Sequence, residues 1–511
     1  GTTGAGKSVC INQLLASLIT MYSPNELQLV MIDFKNVEFS FYADAETHSY
    51  SRLPHSKVLA GTKDGEYALS IFKYVCDEMN RRTAIFSEAG VKNLEEYRDK
   101  YPDAVMPRIL LLIDEYQVMF TELPDKIVNK IMEAIRSLAK LARFCGAHML
   151  FTSQSMKGTM DKDVQDQFAL RVALRCSADT ATAVLGDDAP SRLKSKFGYL
   201  YTNEDGANTK EHNRLWRTPF IPTGDLNNII TEINKMWGKP NLVEFYDEQR
   251  TYTDQALHDW YTKYPDVWTD PHVMILGEKT AFDVNKAPCN FRFARDDGEN
   301  MLIFGQNTSD CLNIVLTMID NIKHHEDAQI MISSADRDAV SIIDMPSLVP
   351  PNLVQAIDPS YPFSKLMDLW EKVIAARKDM AVEDLKPLYI FCVFYEKQQG
   401  YGRNTVSSIL NRFEEIMTDA GQMDVHFVVV LKNKGDLMST NFKRFNHKIV
   451  LKCDASMAFQ LTADDDRPSK FPSNPEDGVF GIYTSLNDSY KFKVYLHTFA
   501  NPIVSNEIFI G

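Results

Sequence analysis

The amino-acid sequence predicts an α/β protein in which one type of fold occurs twice. A glycine-rich loop runs directly into a helix with apolar residues at helical spacing, and short apolar strands farther along the chain end in polar residues. Five segments of the first half recur in the same order in the second half. Because strands alternate with helices, each half is expected to be a mostly parallel sheet flanked by helices.

The composition is that of an ordinary soluble protein of two or three domains. Of the 511 residues, 44% are hydrophobic and 24% are charged, and no uncharged run is long enough to span a membrane. The net charge of −14 argues against a generally basic coat for nucleic acid, although a local basic stripe remains compatible with it. The eight cysteines form no CxxC pair, which favours free thiols in a reducing, cytoplasmic compartment.

The first eight residues, GTTGAGKS, fit the phosphate-binding pattern G-x-x-x-x-G-K-[ST]. The glycines let successive backbone N–H groups converge on a β-phosphate, Lys7 reaches the β and γ oxygens, and the Ser8 hydroxyl ligates Mg²⁺. The helix that follows directs its N-terminal dipole at the phosphates. The predicted binding residues for ATP and Mg²⁺ are Gly1, Thr2, Thr3, Gly4, Ala5, Gly6, Lys7 and Ser8. Because such a loop normally follows a strand, we expect a first strand and a longer N-terminal part before Gly1.

Two later strands end in side chains that suit hydrolysis of a triphosphate. The strand in MPRILLLIDEYQ ends at Asp114, which is placed to hold the Mg²⁺ shell through water, and at Glu115, which is placed to polarise the attacking water. The strand in CGAHMLFTSQS ends near Gln154, which would sense the γ-phosphate. Together with the loop, these residues predict an ATPase.

These motifs resemble the FtsK/SpoIIIE family of ring-forming, ATP-driven translocases. The similar stretches are GTTGAGKS, MIDFKNVEFSFY (with Asp33, Lys35 and Glu38), DEYQ and ARFCGAHMLFTSQ, and they cover about residues 1–220. The resemblance implies a RecA-like, AAA+-related ATPase domain that assembles into a homo-hexameric ring. It also implies that Arg143 acts on the nucleotide of the neighbouring subunit, with Arg136 as the second candidate.

One departure from the family concerns the loop that would face the channel of the ring. DNA-pumping members usually carry Arg-Pro after the sensor glutamine, whereas this chain has SQSMKGTMDKD. Lys157 and Lys162 are the cations nearest to this position in the sequence, so they are the candidate channel residues.

The second half predicts a degenerate copy of the same fold. When its segments are laid over the first half, Tyr395 falls at Asp114, Glu396 at Glu115 and Lys432 at Gln154. The turn at residues 305–313 lacks the second glycine, the lysine and the hydroxyl of a phosphate-binding loop. This copy is therefore expected to bind ATP poorly and not to hydrolyse it. The expected division is an ATPase domain at 1–220, a helical connector at 221–270 and the degenerate domain at 271–511.

The leading functional hypothesis is a ring motor that drives double-stranded DNA through a central channel. The alternative is an ATPase of the type VII secretion kind, which would export small helical proteins. The stretch DFKNVEFSFY favours the first, whereas the tandem arrangement, the acidic composition and the absence of Arg-Pro favour the second. Under either hypothesis this part is expected in the cytoplasm, and a region before Gly1 could anchor the full-length protein to a membrane.

Overall fold

The computed structural model divides the chain into two compact units, Gly1–Glu248 and Gln249–Gly511. The residues that the structure describes are 4–43, 52–155, 162–194, 198–204, 210–238, 244–247, 251–263, 269–282, 288–325, 327–334, 336, 339, 356–357, 362–394, 406–432, 444–462, 467–473, 478–486 and 488–497. Over these ranges, no helix combines the length and the apolar character that a membrane crossing requires.

The first unit alternates strands and helices. Its strands are β1 (Leu27–Asp33), β2 (Ser56–Gly61), β3 (Arg108–Asp114), β4 (Ala147–Phe151), β5 (Arg171–Leu174), β6 (Tyr199–Asn203), β7 (Asn213–Arg217) and β8 (Glu244–Asp247). Its helices are α1 (Lys7–Met21), α2 (Gly65–Ala89), α3 (Leu94–Lys100), α4 (Val118–Thr121), α5 (Asp125–Cys145), α6 (Lys162–Gln165), α7 (Ala178–Leu185) and α8 (Thr223–Trp237).

Five of these strands form a parallel sheet in the order β4-β3-β1-β2-β8. Asp33 at the end of β1 pairs in register with Asp114 at the end of β3, so two carboxylates lie side by side at one edge of the sheet. The strands β5, β6 and β7 form a separate antiparallel sheet. Parallel strands place their carboxyl ends together, which is where ligand sites of α/β proteins are found.

The helices α1 and α8 cover one face of the parallel sheet. Leu15 and Ile19 of α1 belong to the same buried cluster as Leu29 of β1 and Leu226 and Ile230 of α8. Because this face of α8 is apolar and packs on the first unit, α8 belongs to that unit.

The second unit contains a larger mixed sheet. Its strands are β9 (Tyr252–Thr253), β10 (Val273–Lys279), β11 (Cys289–Arg292), β12 (Met301–Phe304), β13 (Gln329–Ser334), β14 (Ala356–Ile357), β15 (Leu388–Val393), β16 (Val425–Leu431), β17 (His447–Val450), β18 (Phe480–Thr484) and β19 (Ser489–Leu496). Its helices are α9 (Asp254–Lys263), α10 (Thr308–Lys323), α11 (Phe363–Lys378), α12 (Val406–Ala420), α13 (Ala455–Thr462) and α14 (Arg467–Lys470).

This sheet runs in the order β11-β10-β19-β18-β17-β12-β16-β15-β13-β14, with β9 pairing to β19. The core lies on both faces, because Met301 and Ile303 of β12 join the cluster that contains α10, whereas Leu302 and Phe304 join the cluster that contains Trp370 of α11. A strand buried on both faces has a continuous apolar sequence, as MLIF does.

The two sheets of the first unit correspond to the two sides of the single sheet in the second. In the second unit, β12 pairs with both β16 and β17. The strands of the first unit that come in the same chain order, β4 and β5, belong to its parallel and its antiparallel sheet. The fold is therefore two RecA-like α/β domains in tandem, as the sequence predicts.

The boundary between the units differs from the expected connector at 221–270. The structure separates the units near residue 248, with α8 in the first unit and α9 in the second. Strand β8 pairs with β2, and Leu257 of α9 shares a buried cluster with Ile275 and Tyr495. The segment is divided because each of its helices has an apolar face that a different unit buries.

Candidate functional site

The described part of the glycine-rich loop has the backbone conformation that its glycines allow. Gly4 and Gly6 have φ angles of 77° and 98°, in a region that residues with a side chain rarely adopt. Helix α1 begins at Lys7, and the Cys10 N–H donates to the Gly6 carbonyl at 2.9 Å. Residues 1–3, which include the predicted Gly1, Thr2 and Thr3, lie outside the described residues.

The Lys7 ammonium lies between the two carboxylates that the sequence singles out. It donates to Asp114 Oδ1 at 2.6 Å and Oδ2 at 2.9 Å, and it also donates to Glu115 Oε1. Burial alone would lower the pKa of Lys7, but these two acids more than offset it, so that pKa is raised. Burial raises the pKa of Asp114, and the hydrogen bonds from Lys7 and Thr152 offset this rise in part.

Glu115 is buried, with its backbone at φ 54°, a strained conformation that is uncommon outside glycine. Lys35 Nζ and Gln117 Nε2 donate to its Oε2 at 2.9 and 2.5 Å. Ser153 Oγ donates to Gln117 Oε1 at 2.7 Å, which orients that amide. Burial would raise the pKa of Glu115, but the bonds from Lys7, Gln117 and Lys35 lower it to about 2.

A loop after β1 brings two further charged groups to this site. The Asp33 carboxylate is fully buried and accepts backbone N–H groups from four residues between 2.7 and 3.2 Å, namely Lys35, Val37, Glu38 and Phe39. These bonds hold the loop in place, and the loop brings Lys35 into contact with Glu115. It also places Glu38 beside Ser8, whose hydroxyl donates to Glu38 Oε1 at 2.5 Å. On the neighbouring strand, a Cβ at Gly61 would lie 1.9 Å from Asn36 Oδ1, so the Asn36 side chain of this loop packs directly over that glycine.

The sequence did not predict that Asp33, Lys35 and Glu38 contact the loop and the acids. A signal was present, since Asp33 ends an apolar strand just as Asp114 does. The contacts depend on the pairing of β1 with β3, which the sequence does not display.

The oxygen donors of this cluster fit a bound Mg²⁺. Asp114, Glu38 and the Ser8 hydroxyl converge on the start of α1, and Mg²⁺ prefers hard oxygen ligands of this kind. In the present geometry Lys7 and Ser8 are engaged by these carboxylates, so metal and phosphate would have to exchange with those bonds.

The remaining predicted residues are more distant or not described. Gln154 is half-buried just past the end of β4, beside Thr152, whose hydroxyl donates to Asp114. Arg143 is exposed in the last turn of α5, just before β4 begins. The site lies at the other end of β4, so Arg143 is about the length of a strand away from the site of its own unit. Arg136 lies on the same helix and is also exposed. Lys157 is outside the described residues, and of Lys162 only the backbone, in α6, is described.

The second unit has a matching strand pair, and its register corrects the sequence overlay. Gly146 and Asp424, both with positive φ, directly precede β4 and β16. In one unit Ile109 pairs with Ala147, and in the other Leu388 pairs with Val425. Counting five residues along each strand makes Val393 the equivalent of Asp114.

Phe394 is then the equivalent of Glu115. The predicted overlay of Tyr395 on Asp114 and of Glu396 on Glu115 is therefore wrong by two residues, because the apolar run of β15 holds no internal landmark. Tyr395 and Glu396 themselves lie outside the described residues. The overlay of Lys432 on Gln154 agrees with the register of β16.

The turn before α10 is too short to enclose a phosphate. Only residues 305–307 separate β12 from α10, and the Asn307 side chain accepts the Ser309 N–H at the start of the helix. Asp310 in the first turn is buried, which raises its pKa to about 6. A carboxyl group and a side-chain cap thus lie where a phosphate-binding loop presents free N–H groups.

Lys432 is the cation of this region, and its partners are groups of the same unit. Its ammonium lies 3.1 Å from Asp336 Oδ2, donates to Thr308 Oγ1 at 3.1 Å and lies 4.6 Å from the centre of the Phe394 ring. At the positions equivalent to the two acids, the second unit thus carries the apolar residues Val393 and Phe394, and Lys432 is paired within its own unit.

The sequence comparisons identify relatives of the first unit. Residues 1–198 match the FtsK/SpoIIIE family. The DNA translocase FtsK of Caldanaerobacter subterraneus subsp. tengcongensis is 31% identical over 193 residues, which are 38% of this chain and 23% of that protein. The DNA translocase SftA of Bacillus subtilis is 29% identical over 270 residues, 51% of this chain and 26% of that protein. The chain thus spans less than a third of these relatives.

The structural comparisons extend over both units. EssC (ATPases 2 and 3) from Geobacillus thermodenitrificans has a TM-score of 0.61 at 15% identity, covering 98% of this chain and 90% of that one. The cytoplasmic domain of the type VII secretion ATPase EccC from Thermomonospora curvata has a TM-score of 0.64 at 15% identity, covering 97% and 60%. At such identities the likeness establishes the tandem fold alone. The family whose model matches residues 1–198, FtsK/SpoIIIE, is the one that the sequence motifs resemble.

Proposed function

We propose that the first unit binds ATP with Mg²⁺ and hydrolyses it to drive a polymer through a ring of identical subunits. The observation that carries this proposal is the cluster of Lys7, Asp114 and Glu115 at the end of β3, directly beside the glycine-rich loop. A buried lysine between two acids contributes little to stability, because the attraction between the charges barely offsets the free-energy cost of removing them from water. Such a cluster is instead expected in a binding site, where the lysine can exchange its carboxylate partners for the phosphates of a ligand.

Each group has a role that follows from its position. Lys7 exchanges its carboxylate partners for the β and γ oxygens of ATP, which releases Asp114 and Glu115. Bound Mg²⁺ neutralises phosphate charge, and Ser8, Asp114 and Glu38 are the residues that would hold it or its waters. Glu115 then accepts a hydrogen bond from the attacking water and orients it, while Gln154 contacts the γ-phosphate side of the site.

In a ring of subunits, residues outside the nucleotide pocket would also have roles. Arg143 lies exposed at the opposite end of β4 from the pocket, so it would serve the nucleotide of a neighbouring subunit. Gly1, Thr2 and Thr3 complete the phosphate loop, and Lys157 and Lys162 line the channel. The hexameric state and any membrane attachment of the full-length protein belong to this proposal.

The cargo that we favour is protein, exported in the manner of type VII secretion. The support is the likeness of both units together to the EssC and EccC ATPases, one of which is described in complex with a signal sequence peptide. The tandem of an intact and a degenerate unit gives the second unit a role that needs no hydrolysis, such as holding a peptide segment.

Double-stranded DNA is the second candidate. The matched sequence relatives are DNA translocases, and their similarity is confined to 36–51% of this chain, mostly the first unit. A DNA motor would use the first unit as its pump and the second unit as a scaffold.

The test measures ATP turnover of the whole chain with each cargo. Lys7→Ala should abolish both nucleotide binding and turnover, and intact turnover in this variant would refute the site. A C-terminal peptide of a small helical secreted protein should raise turnover if the cargo is protein. Stimulation by duplex DNA that falls steeply with salt would instead identify DNA.

A further inference from the structure

Lys35 contacts the proposed water-orienting acid although it belongs to no phosphate loop. Its Nζ lies 2.9 Å from Glu115 Oε2, and the lysine side chain is 42% exposed whereas that of Glu115 is 1% exposed. The ion pair therefore joins a solvent-accessible cation to a buried acid. An ammonium with access to water is hydrated again when it leaves such a contact, whereas the buried carboxylate loses a partner, so the pair can open but restrains Glu115.

Both oxygens of Glu115 are occupied in this geometry. Oε1 accepts from Lys7, and Oε2 accepts from Lys35 and Gln117. When Lys7 moves to a triphosphate, Oε1 becomes free but Oε2 keeps both of its donors. A carboxylate that remains paired with a cation is a weaker acceptor for a water proton.

The position of Lys35 is fixed by the loop rather than by its own flexibility. The Lys35 N–H donates to Asp33 Oδ1 at 2.8 Å, and three further N–H groups of the loop donate to Asp33 Oδ2. Because Asp33 ends the strand next to β3, the Lys35 backbone is held one strand away from Glu115. The contact is thus built into the sheet.

We propose that Lys35 is a latch that restrains Glu115 and must release it before hydrolysis, so that this ion pair limits basal ATP turnover. The inference rests on the proposed ATPase function and adds a regulatory element to it. Lys35 acts here as a positioning residue, because it acts through Glu115 and not on the phosphate. A movement of the Lys35 side chain away from Glu115 is then sufficient to change the rate, while the residues that bind phosphate and metal stay in place.

The test compares Lys35→Met and Lys35→Arg in the full chain at saturating ATP. Lys35→Met removes the charge and keeps the length, and we expect kcat to rise about tenfold, the effect of losing one charged hydrogen bond from the ground state. The affinity for a fluorescent ATP analogue should stay within about twofold of wild type. Lys35→Arg keeps the ion pair and should retain the wild-type rate. Lys63→Met, which breaks an exposed pair with Glu122, is the matched control.

The split between kcat and KM separates the latch from a structural effect. Release of Glu115 acts on the chemical step, so Lys35→Met should raise kcat while KM for ATP stays within about twofold of wild type, and Lys35→Arg should change neither. An unchanged kcat in Lys35→Met would overturn the latch. A fall in kcat with ATP still bound would also overturn it, since Lys35 would then be needed in the transition state. A wild-type chain without ATP turnover would instead refute the proposed function, and the latch with it.

Discussion

Glu115 and Phe394 occupy equivalent places at the ends of the central strands β3 and β15, and both backbones are left-handed, with φ angles of 54° and 50°. The two units therefore share a left-handed residue at this strand end, which is an acid in the first unit and an aromatic residue in the second. Because the same backbone conformation occurs with two such different side chains, we attribute it to the surrounding sheet.

Restoring the acids alone should not restore activity in the second unit. We expect the double variant Val393→Asp, Phe394→Glu, made in a Lys7→Ala background, to hydrolyse ATP no faster than Lys7→Ala itself. The three-residue turn before α10 offers neither a lysine nor converging N–H groups. A phosphate-release assay measures this, with Lys7→Ala as the baseline. Turnover above that baseline would show that the second unit still binds nucleotide.

Glu115→Gln should separate ATP binding from hydrolysis. The amide cannot accept a proton from water, so we expect kcat to fall by roughly 10²–10⁴. Lys7 and Asp114 remain to hold the phosphates and the metal, so ATP should stay bound. Nucleotide retained after gel filtration and identified by chromatography provides the measurement. Lys7→Ala is the contrasting variant, which should retain none, and equal retention in the two variants would contradict these roles.

Glu38→Gln should weaken the response to Mg²⁺. Glu38 accepts the hydrogen bond of the Ser8 hydroxyl at 2.5 Å, and loss of its charge removes a carboxylate from the metal's surroundings. We expect the half-saturating Mg²⁺ concentration to rise roughly tenfold, with kcat recovered at high Mg²⁺. A titration of turnover against Mg²⁺ tests this. Glu122→Gln, at an exposed pair with Lys63, is the control and should titrate like wild type.

The stability of the second unit should fall as the pH rises above 6.5, which is the ordinary pKa of a histidine such as His272. Its two ring nitrogens lie 3.0 Å from Asp270 and 2.8 Å from Asp424. Burial would lower the His272 pKa, but these acids offset it and raise that pKa. Because the folded pKa exceeds the unfolded one, the contribution is complete below pH 6.5 and is lost as pH rises through the folded pKa.

Thermal melts across this pH range provide the measurement, and His272→Gln should remove the His272-dependent part of the slope. Arg292, Arg295, His325 and His426 also lie near this imidazole or its two acids. These groups are present in the wild type and in the variant, so the difference between their melting curves reports the loss of His272. A difference that does not change with pH would contradict a protonated His272.

The loop and strand-end residues could be predicted because their chemistry is local in sequence. The turn at residues 4–8 could be predicted from its glycines, and Asp114 and Glu115 lie at the end of an unbroken apolar run. The fold class could be predicted from the alternation of strands and helices along the chain. None of these predictions requires knowing which distant residues pack together.

The rest depended on pairings between distant residues. The two-residue error at Tyr395 and Glu396 arose because the two halves were aligned by similar residue types. The register of β15 against β16 is instead set by backbone hydrogen bonds, such as the one from the Leu388 N–H to the Asp424 carbonyl at 2.9 Å. The division near residue 248 depends on the same kind of information, since β8 pairs with β2, which lies far from it in the sequence. Lys35 and Glu38 were noted only as similar to the family, because β1 had first to be placed beside β3.

The glycine on β2 has a consequence for how this protein tolerates mutation. A side chain at Gly61 would meet the Asn36 side chain at 1.9 Å, so Asn36, which lies on the loop that carries both Lys35 and Glu38, would have to move. A single missense change at a position with no chemistry of its own would therefore act on the loop that supplies two arms of the nucleotide pocket, and a screen for inactive alleles that includes Gly61 tests how far that change reaches.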